Sequence, residues 1–398
     1  MIKELCFYWV ILFIITGCQS SIDKETVDPI IDNIYFLDII SSIDNKTNLK
    51  ISDIASEVSY LPLETTEDNL IQEIQKVVFT ENFIFVADEN GLYQFTDRGG
   101  FIRQIGSLGR GPGEHSTIMN FAVNEKADIV IVQGTYSIVE YDLEGNYVKN
   151  IRRLPGQEFE FIDQDRIVFY KANNINSPVN LIITSLDLEP VRKFYNLNPK
   201  AATNYSLSGA PLYNFKDHLY FKEHWNDTLF CIQDSVLIPH IIFNESELLQ
   251  DKNFEIKSSG SVPDLVSQLE KVENKLMTDN ILESERFVFI SYSQGINPRT
   301  HRYVRVLFDK DNSIACCLNN GEFINDIDGG LDFYPQQIAD SRVLVQWLTA
   351  YSLKAHIASP EFAASVSEDT SMKNKLEILG NSLKDTDNPV LMMVKLKE

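Results

Sequence analysis

The stretch Leu92–Ile105, LYQFTDRGGFIRQI, returns in altered form 46 positions further along the chain as IVEYDLEGNYVKNI, Ile138–Ile151. Gly99 of the first copy corresponds to Gly145 of the second, and Ile183–Phe194 forms a weaker third copy. Each copy consists of an apolar run, a polar tight turn and a second apolar run, which is typical of a β-hairpin. Repetition at a fixed interval predicts a fold built from one repeated unit.

Two further strand-like runs precede each of the first two hairpins. Ile74–Phe79 and Phe83–Ala87 precede the first, and Phe121–Val123 and Asp128–Val132 precede the second. Four strands in about 45 residues is the size of one β-propeller blade. Later segments repeat the pattern less cleanly and bring the expected number of blades to six.

The last blade needs one more strand, and Val58–Leu63, upstream of the first repeat, is available to supply it and to close the ring. Apolar residues spaced by four, three and four residues predict two helical insertions, at about 261–280 and 359–386. The predicted fold is therefore an all-β, six-bladed propeller over residues 49–398, with four-stranded blades and two helical insertions.

A glycine-rich stretch, Gly106–Glu114 (GSLGRGPGE), lies between the last strand of one repeat and the first strand of the next. It lacks the Lys-Ser or Lys-Thr of a phosphate-binding P-loop and the spacing of a dinucleotide-binding fingerprint. We therefore interpret it as a corner between two blades, because glycines permit the backbone angles of a tight turn. Arg110, Glu114 and His115 in this corner are candidates to project into the mouth of the central channel and bind a ligand there.

Four motifs occur in a characteristic order: GSLGRGPGEH, HWNDTLF, FINDIDGGLDFYP and DNPVLMMVKLK. Together they resemble the six-bladed β-propeller lipoproteins of Bacteroidetes, and GRGPGE followed by a strand is similar to NHL-repeat propellers. The resemblance covers about residues 50–398. It implies a fold and a place at the cell envelope, and it implies no particular chemistry.

The N-terminus contains an apolar run, Leu5–Ile15, followed by Ile15-Thr16-Gly17-Cys18. This tetrapeptide resembles the bacterial lipobox, which implies that residues 1–17 are a signal peptide and that Cys18 is lipidated. Residues 18–48 are then a tether and N-terminal segment, and the lipid binds the protein to a membrane, expected to be the outer membrane. The alternative is an uncleaved anchor with an incidental cysteine.

The formal net charge of −22 disfavours nucleic acid as a partner, because the phosphate backbone is bound mainly by Lys and Arg. Arg299, Arg302 and Arg305 are close in sequence, but Arg302 and Arg305 point to opposite faces of a regular strand. We interpret these arginines as surface charge.

The sequence gives little support for an enzyme. It contains no HExxH zinc motif and no GxSxG nucleophile elbow. Related six-bladed families include lactonases with an axial Ca²⁺, an ion that takes 6–8 oxygen ligands. The densest cluster of such oxygens is Asn325–Asp328, for which a solvated loop is the alternative. The sequence firmly implies no cofactor and does not identify metal ligands. Ca²⁺ is the candidate ion.

The most ligand-like short run is His224, Trp225 and Asn226, because an exposed tryptophan is a favoured platform for sugars and peptides. The alternative is a buried tryptophan that braces a turn. The function expected from the sequence is a membrane-tethered, non-catalytic binding module for a glycan, peptide or protein partner. The alternative is a metal-dependent, lactonase-like hydrolase or lyase with its site on the propeller axis.

Overall fold

Six β-sheets of four or five strands, arranged around one axis, make up most of the described structure. The structure, a computed structural model, describes residues 34–135, 137–152, 158–171, 177–195, 197, 212–223, 226–233, 236–244, 275–295, 301–367 and 369–397. Within these residues the first strand of each sheet contacts the first strands of the two neighbouring sheets, all the way around the ring. This arrangement confirms the predicted six-bladed propeller.

The strands and helices have the following bounds. The strands are β1 Tyr35–Leu37, β2 Lys46–Thr47, β3 Ala55–Pro62, β4 Lys76–Phe79, β5 Phe83–Ala87, β6 Leu92–Thr96, β7 Phe101–Ile105, β8 Ser107–Leu108, β9 Glu114–His115, β10 Ile118–Asn124, β11 Ile129–Gly134, β12 Ser137–Tyr141, β13 Tyr147–Arg152, β14 Glu158–Phe161, β15 Arg166–Tyr170, β16 Val179–Ser185, β17 Pro190–Tyr195, β18 Leu212–Phe215, β19 His218–Lys222, β20 Thr228–Gln233, β21 Val236–Phe243, β22 Leu276–Glu283, β23 Phe287–Gln294, β24 Arg302–Asp309, β25 Ile314–Leu318, β26 Gln337–Asp340, β27 Val343–Leu348 and β28 Val390–Leu396. The helices are α1 Ile39–Asp44, α2 Ile51–Ile54, α3 Ala350–Ile357, α4 Pro360–Ala364 and α5 Thr370–Ser382, with a short 3₁₀ helix at Glu125–Ala127.

The blades follow one another along the chain. Blades one to five are β4–β7, β10–β13, β14–β17, β18–β21 and β22–β25, each with antiparallel neighbours. Blade six consists of β26, β27 and β28, and its outermost strand is β3, which pairs antiparallel with β28 and places Val58 opposite Val394. The upstream strand therefore supplies the fourth strand of blade six and closes the ring, as the sequence predicts.

A segment that we call the N-terminal strap, residues 35–54, runs along the outer edges of two other blades before it reaches blade six. Its strand β1 pairs in parallel with β21 of blade four, and β2 pairs in parallel with β25 of blade five. Part of the strap falls in the segment 18–48 that the sequence analysis places in the tether. Strands of two or three residues are too short to show an alternating pattern, so the sequence does not indicate them.

The core lies between the blades. Phe85 of blade one and Phe121 of blade two are fully buried in the same apolar cluster, and the rings of Phe159 and Phe169 stack with centroids 5.6 Å apart. Successive side chains of a strand point to opposite faces of the sheet, so each blade packs against both of its neighbours. Each fully buried large apolar side chain contributes about 1.5–3 kcal/mol.

The glycine-rich stretch is a corner between blades one and two. It contains β8 and β9, which form a two-residue parallel ladder between β7 and β10. The carboxylate of Glu114 accepts hydrogen bonds from the backbone N–H groups of Arg110 and Gly111, both at 2.7 Å. Gly106 has φ +64°, and a Cβ there would collide with the Tyr141 hydroxyl, so this position requires glycine.

The helices α3, α4 and α5 lie between β27 and β28; α4 and α5 fall within the range of the second predicted insertion, and α3 lies upstream of it. Their buried residues Leu353, Phe362 and Leu376 pack into the apolar cluster of blades five and six. Of the first predicted insertion, residues 261–274 lie outside the described residues, and Leu276 begins strand β22. The prediction of a helix is therefore wrong for residues 276–280. A single buried leucine is compatible with the spacing of either a helix or a strand. Across the described residues, each helix is too short or too polar to cross a membrane.

Candidate functional site

A large cavity lies on the axis of the ring. Residues of the first strand of every blade line it, from β4, β10, β14, β18, β22 and β26. Its volume of about 1520 Å³ exceeds the ~300–1,000 Å³ typical of a pocket for one small molecule. We call it the axial cavity.

One wall of the axial cavity carries two carboxylates and a single ammonium group. Glu158 and Glu160 alternate along β14 with buried phenylalanines, and both carboxylate side chains are half-buried. Lys76 Nζ lies 3.7 Å from a carboxylate oxygen of Glu160 and donates to Asn120 Oδ1 at 2.8 Å. Asn120 Nδ2 donates in turn to Glu158 Oε2 at 3.4 Å. Three blades thus meet in one polar cluster with an excess of negative charge.

Burial changes the proton affinity of both carboxylates. It raises the pKa of Glu158 to about 7, with Lys76 opposing the rise and Glu160 adding to it. Burial also raises the pKa of Glu160, again against the charge of Lys76. Near neutral pH, Glu158 is therefore present both as an acid that donates a hydrogen bond and as a carboxylate that accepts one.

We expect Glu158→Gln to reduce the pH dependence of stability. The folded-state pKa of Glu158 lies above the unfolded value, so its contribution to the free energy of unfolding is complete below about pH 4.5 and is lost as the pH rises through about 7. Urea unfolding at pH 4.5 and pH 8 should show a smaller decrease for the variant than for the wild type. The exposed Glu73→Gln variant controls for the loss of a carboxylate outside the cavity. Equal decreases in wild type and Glu158→Gln would contradict the assignment.

A second wall of the cavity places an arginine against the rings of two tyrosines. The guanidinium carbon of Arg305 lies 4.1 Å from the ring centroid of Tyr334 and 5.4 Å from that of Tyr303. Its Nη1 donates to the carbonyl of Gly321 at 2.8 Å. Guanidinium groups stack favourably on aromatic faces, so the rings fix the orientation of the arginine.

An acidic residue lies beside this stack. Asp279 lines the cavity beside Ser291. Burial raises the pKa of Asp279, and the charges of Arg305 and His301 oppose the rise. We call Asp279, Ser291, Tyr303, Arg305 and Tyr334 together the blade-five wall.

This wall is not predicted from the sequence, because the arginines are interpreted there as surface charge. That interpretation holds for Arg302, which is exposed and donates to Gln294 Oε1, and it is wrong for Arg305; Arg299 lies outside the described residues. The available signal was the alternation along β24, which puts Arg305 on the same face as the buried Leu307.

A third polar group, which we call the Glu283 network, is buried between blades four and five. Glu283, 1% exposed, lies 2.7 Å from Lys310 Nζ and 2.9 Å from His240 Nε2, and it accepts a hydrogen bond from the Tyr213 hydroxyl at 2.7 Å. Burial raises the pKa of Glu283, but the hydrogen bonds and charges of His240 and Lys310 outweigh it and hold the pKa low. Glu283 is therefore a buried carboxylate whose charge is balanced by its neighbours.

The three candidate residues of the corner do not line the axial cavity. Arg110 is exposed, and the Glu114 carboxylate is bound to backbone N–H groups of the corner itself. His115 is fully buried, with its ring edge-to-face against Tyr141 and its Nδ1 3.0 Å from the carbonyl of Ser116. The structure thus places these side chains in or on the turn and not in the channel mouth.

The remaining candidates are placed only in part. Asn226 Oδ1 accepts a hydrogen bond from the backbone N–H of Thr228 at 2.9 Å, so it supports a turn outside the axial cavity. Cys18, His224 and Trp225 lie outside the described residues.

The acidic loop Asn325–Asp328 uses its oxygens within the protein. Asp328 Oδ1 accepts from Asn325 Nδ2 at 2.7 Å and from the backbone N–H of Gly330 at 2.9 Å. Asp326 accepts from the hydroxyl of Ser52 at 2.6 Å. In the part of the chain that the structure describes, His, Cys, Asp and Glu do not gather in groups of three or more suited to a metal ion.

Comparisons with known proteins identify a family and a fold. Residues 34–395 match the family model of a domain of unknown function, DUF4934. A crystal structure of a Bacteroides fragilis protein described as exported is 18% identical, with a TM-score of 0.69, and covers 92% of this chain and 100% of that chain. No curated protein matches the chain.

Two other solved structures share less of the architecture. The extracellular domain of a one component system from Bacteroides thetaiotaomicron is 12% identical, with a TM-score of 0.38 over 67% of this chain and 30% of that chain. A Bacteroides caccae protein of unknown function is 10% identical, with a TM-score of 0.37 over 62% and 81% of the two chains. Because the family model spans nearly the whole propeller, the chain belongs to the DUF4934 family.

Proposed function

We propose that this protein is a binding module of the cell envelope that holds its ligand in the axial cavity. The observation that carries the proposal is the cavity itself, to which all six blades contribute side chains. It is lined by hydrogen-bonding groups from separate blades, the pattern by which pockets orient a ligand. The ligand classes that we consider are a glycan, a peptide and a segment of a partner protein.

The place at the envelope is supported by two observations. The lipobox-like Ile15–Cys18 supports lipidation of Cys18 and attachment to the outer membrane as an NHL-like propeller lipoprotein. The structurally similar B. fragilis protein is described as exported. Metabolic labelling with an alkyne fatty acid tests the lipid, and labelling that persists in Cys18→Ala would contradict it.

A cavity-filling variant tests the binding site. Asn214 is an exposed residue of β18 that lines the cavity, so Asn214→Trp adds bulk inside it. We expect this variant to lose binding to glycan arrays and peptide libraries that retain the wild type. Asp187→Trp, on an exposed turn between β16 and β17, is the matched control. Equal binding by wild type and Asn214→Trp would place the ligand elsewhere and overturn the proposal.

The second candidate function is an axial hydrolase or lyase, and the half-buried carboxylates Glu158, Glu160 and Asp279 on the cavity are the observation that favours it. Metal content and thermal unfolding with Ca²⁺ and with a chelator test it, followed by turnover assays on lactones and esters. A stoichiometric ion whose removal lowers the melting temperature, together with turnover of a lactone or ester, would favour the enzyme over the binding module.

A further inference from the structure

Two polar atoms in the blade-five wall are buried without a hydrogen-bond partner among the described residues. They are the hydroxyl of Tyr334, a residue that is 5% exposed, and Nε of Arg305. Both residues line the axial cavity and stack on one another. Buried polar groups in proteins nearly always have a partner, which is supplied by protein, ordered water or a bound molecule.

The wall offers donors and acceptors side by side. The Arg305 guanidinium only donates, the Asp279 carboxylate accepts, and the Tyr334 hydroxyl does both. A sugar hydroxyl also donates and accepts, so it can satisfy an acid and an arginine at the same time. Tyr303 contacts Arg305 and the ring of His301 and is still 51% exposed, so the apolar face of a sugar ring can pack on the open part of its ring.

Charge narrows the ligand class further. Nine acidic and four basic side chains line the cavity, so it repels anionic ligands such as uronic acids or phosphates. A cationic group bound at the wall would lie close to the positive charge of Arg305, which disfavours it at this position. A neutral ligand rich in hydroxyl groups fits both conditions.

We propose that the blade-five wall binds one ring of a neutral glycan, with Asp279, Arg305 and Tyr334 as hydrogen-bonding partners and Tyr303 as the stacking platform. This assignment rests on the proposed role of the axial cavity as the ligand site.

The test uses a substitution that removes a single oxygen. The full-length chain, purified in a detergent without a sugar headgroup, is applied to an array of neutral, uronic-acid and amino-sugar oligosaccharides. We expect retention on neutral oligosaccharides and a tenfold or greater loss of affinity for the best of them in Tyr334→Phe. The melting temperature of this variant should be unchanged or higher, because the hydroxyl has no partner among the described residues. Tyr351→Phe, an exposed residue of α3, is the control.

Each other outcome has a defined meaning. Binding of only uronic-acid or amino-sugar oligosaccharides overturns the assignment of a neutral ligand. Neutral binding that Tyr334→Phe leaves unchanged overturns the blade-five wall as its site. If the wild type binds peptides but no glycans, and Asn214→Trp abolishes the peptide binding, the assignment of a glycan is overturned and the axial cavity is retained as the binding site. Glycan binding that survives in Asn214→Trp overturns the proposed function as well.

Discussion

Glu283→Ala is expected to lower the free energy of unfolding by about 3–5 kcal/mol, as the loss of one partner of a buried ion pair does. The substitution leaves Lys310 Nζ without the carboxylate 2.7 Å away and His240 Nε2 without its partner at 2.9 Å, both in the interior. A buried charge that has lost its counter-charge carries the full cost of its removal from water. Equilibrium unfolding in guanidinium chloride at pH 7 measures the change.

A neighbouring surface pair provides the control for this variant. Glu285 and Lys216 lie 2.6 Å apart with both side chains 55% exposed, and Glu285→Ala should cost less than about 1 kcal/mol. Glu283→Gln keeps hydrogen-bonding atoms but loses the charge, and it should fall between the two. A loss below about 1 kcal/mol in Glu283→Ala would show that the Glu283 network does not hold blades four and five together.

Val58→Asp in the closing strand is expected to cost more than about 4 kcal/mol, a range reached when an unpaired charge enters a core. Val58 is buried opposite Val394, where β3 completes blade six. The adjacent Ser59 is exposed on the other face of the same strand, so Ser59→Asp introduces the same charge without burying it. The two variants are compared by chemical unfolding.

Loss of closure should also be visible in solution. When β3 detaches, the edge of β28 is left unpaired, and unpaired strand edges promote association between chains. Light scattering should therefore show association of Val58→Asp that increases with protein concentration, while Ser59→Asp stays unchanged. Wild-type stability and a monodisperse solution for Val58→Asp would mean that β3 is dispensable for the ring.

Much of the fold could be predicted from the sequence because two repeats retain their turn chemistry. Gly99 and Gly145, which align the first two hairpins, have φ values of +78° and +81° in the structure. Left-handed backbone of this kind favours glycine. The separation of the two glycines in the sequence therefore equals the length of one blade repeat. In blade three, Leu188 takes the positive-φ turn position with φ +63°, and the repeat is correspondingly harder to detect.

The site could be predicted far less well, because it is assembled from strands that are remote in sequence. Lys76 of blade one approaches Glu160 of blade three, and Arg305 of β24 stacks on Tyr334, which lies between β25 and β26. Hydrophobic patterns give the faces of each strand but carry no information on which inner-strand side chains converge on the axis. The residues that the sequence suggests lie in glycine-rich or aromatic segments, and such segments occur in turns as readily as in binding sites.

The N-terminal strap has a consequence for the order of folding. Strands β1, β2 and β3 pair with residues 241–243, 317–318 and 390–396, respectively. The strands that leave the ribosome first therefore stay unpaired until partners far along the chain have been synthesised. Contacts over such separations slow folding and leave the early segment exposed until synthesis ends. The ring can reach its native state only after release of the complete chain, and a chain that ends before β28 leaves β3 unpaired.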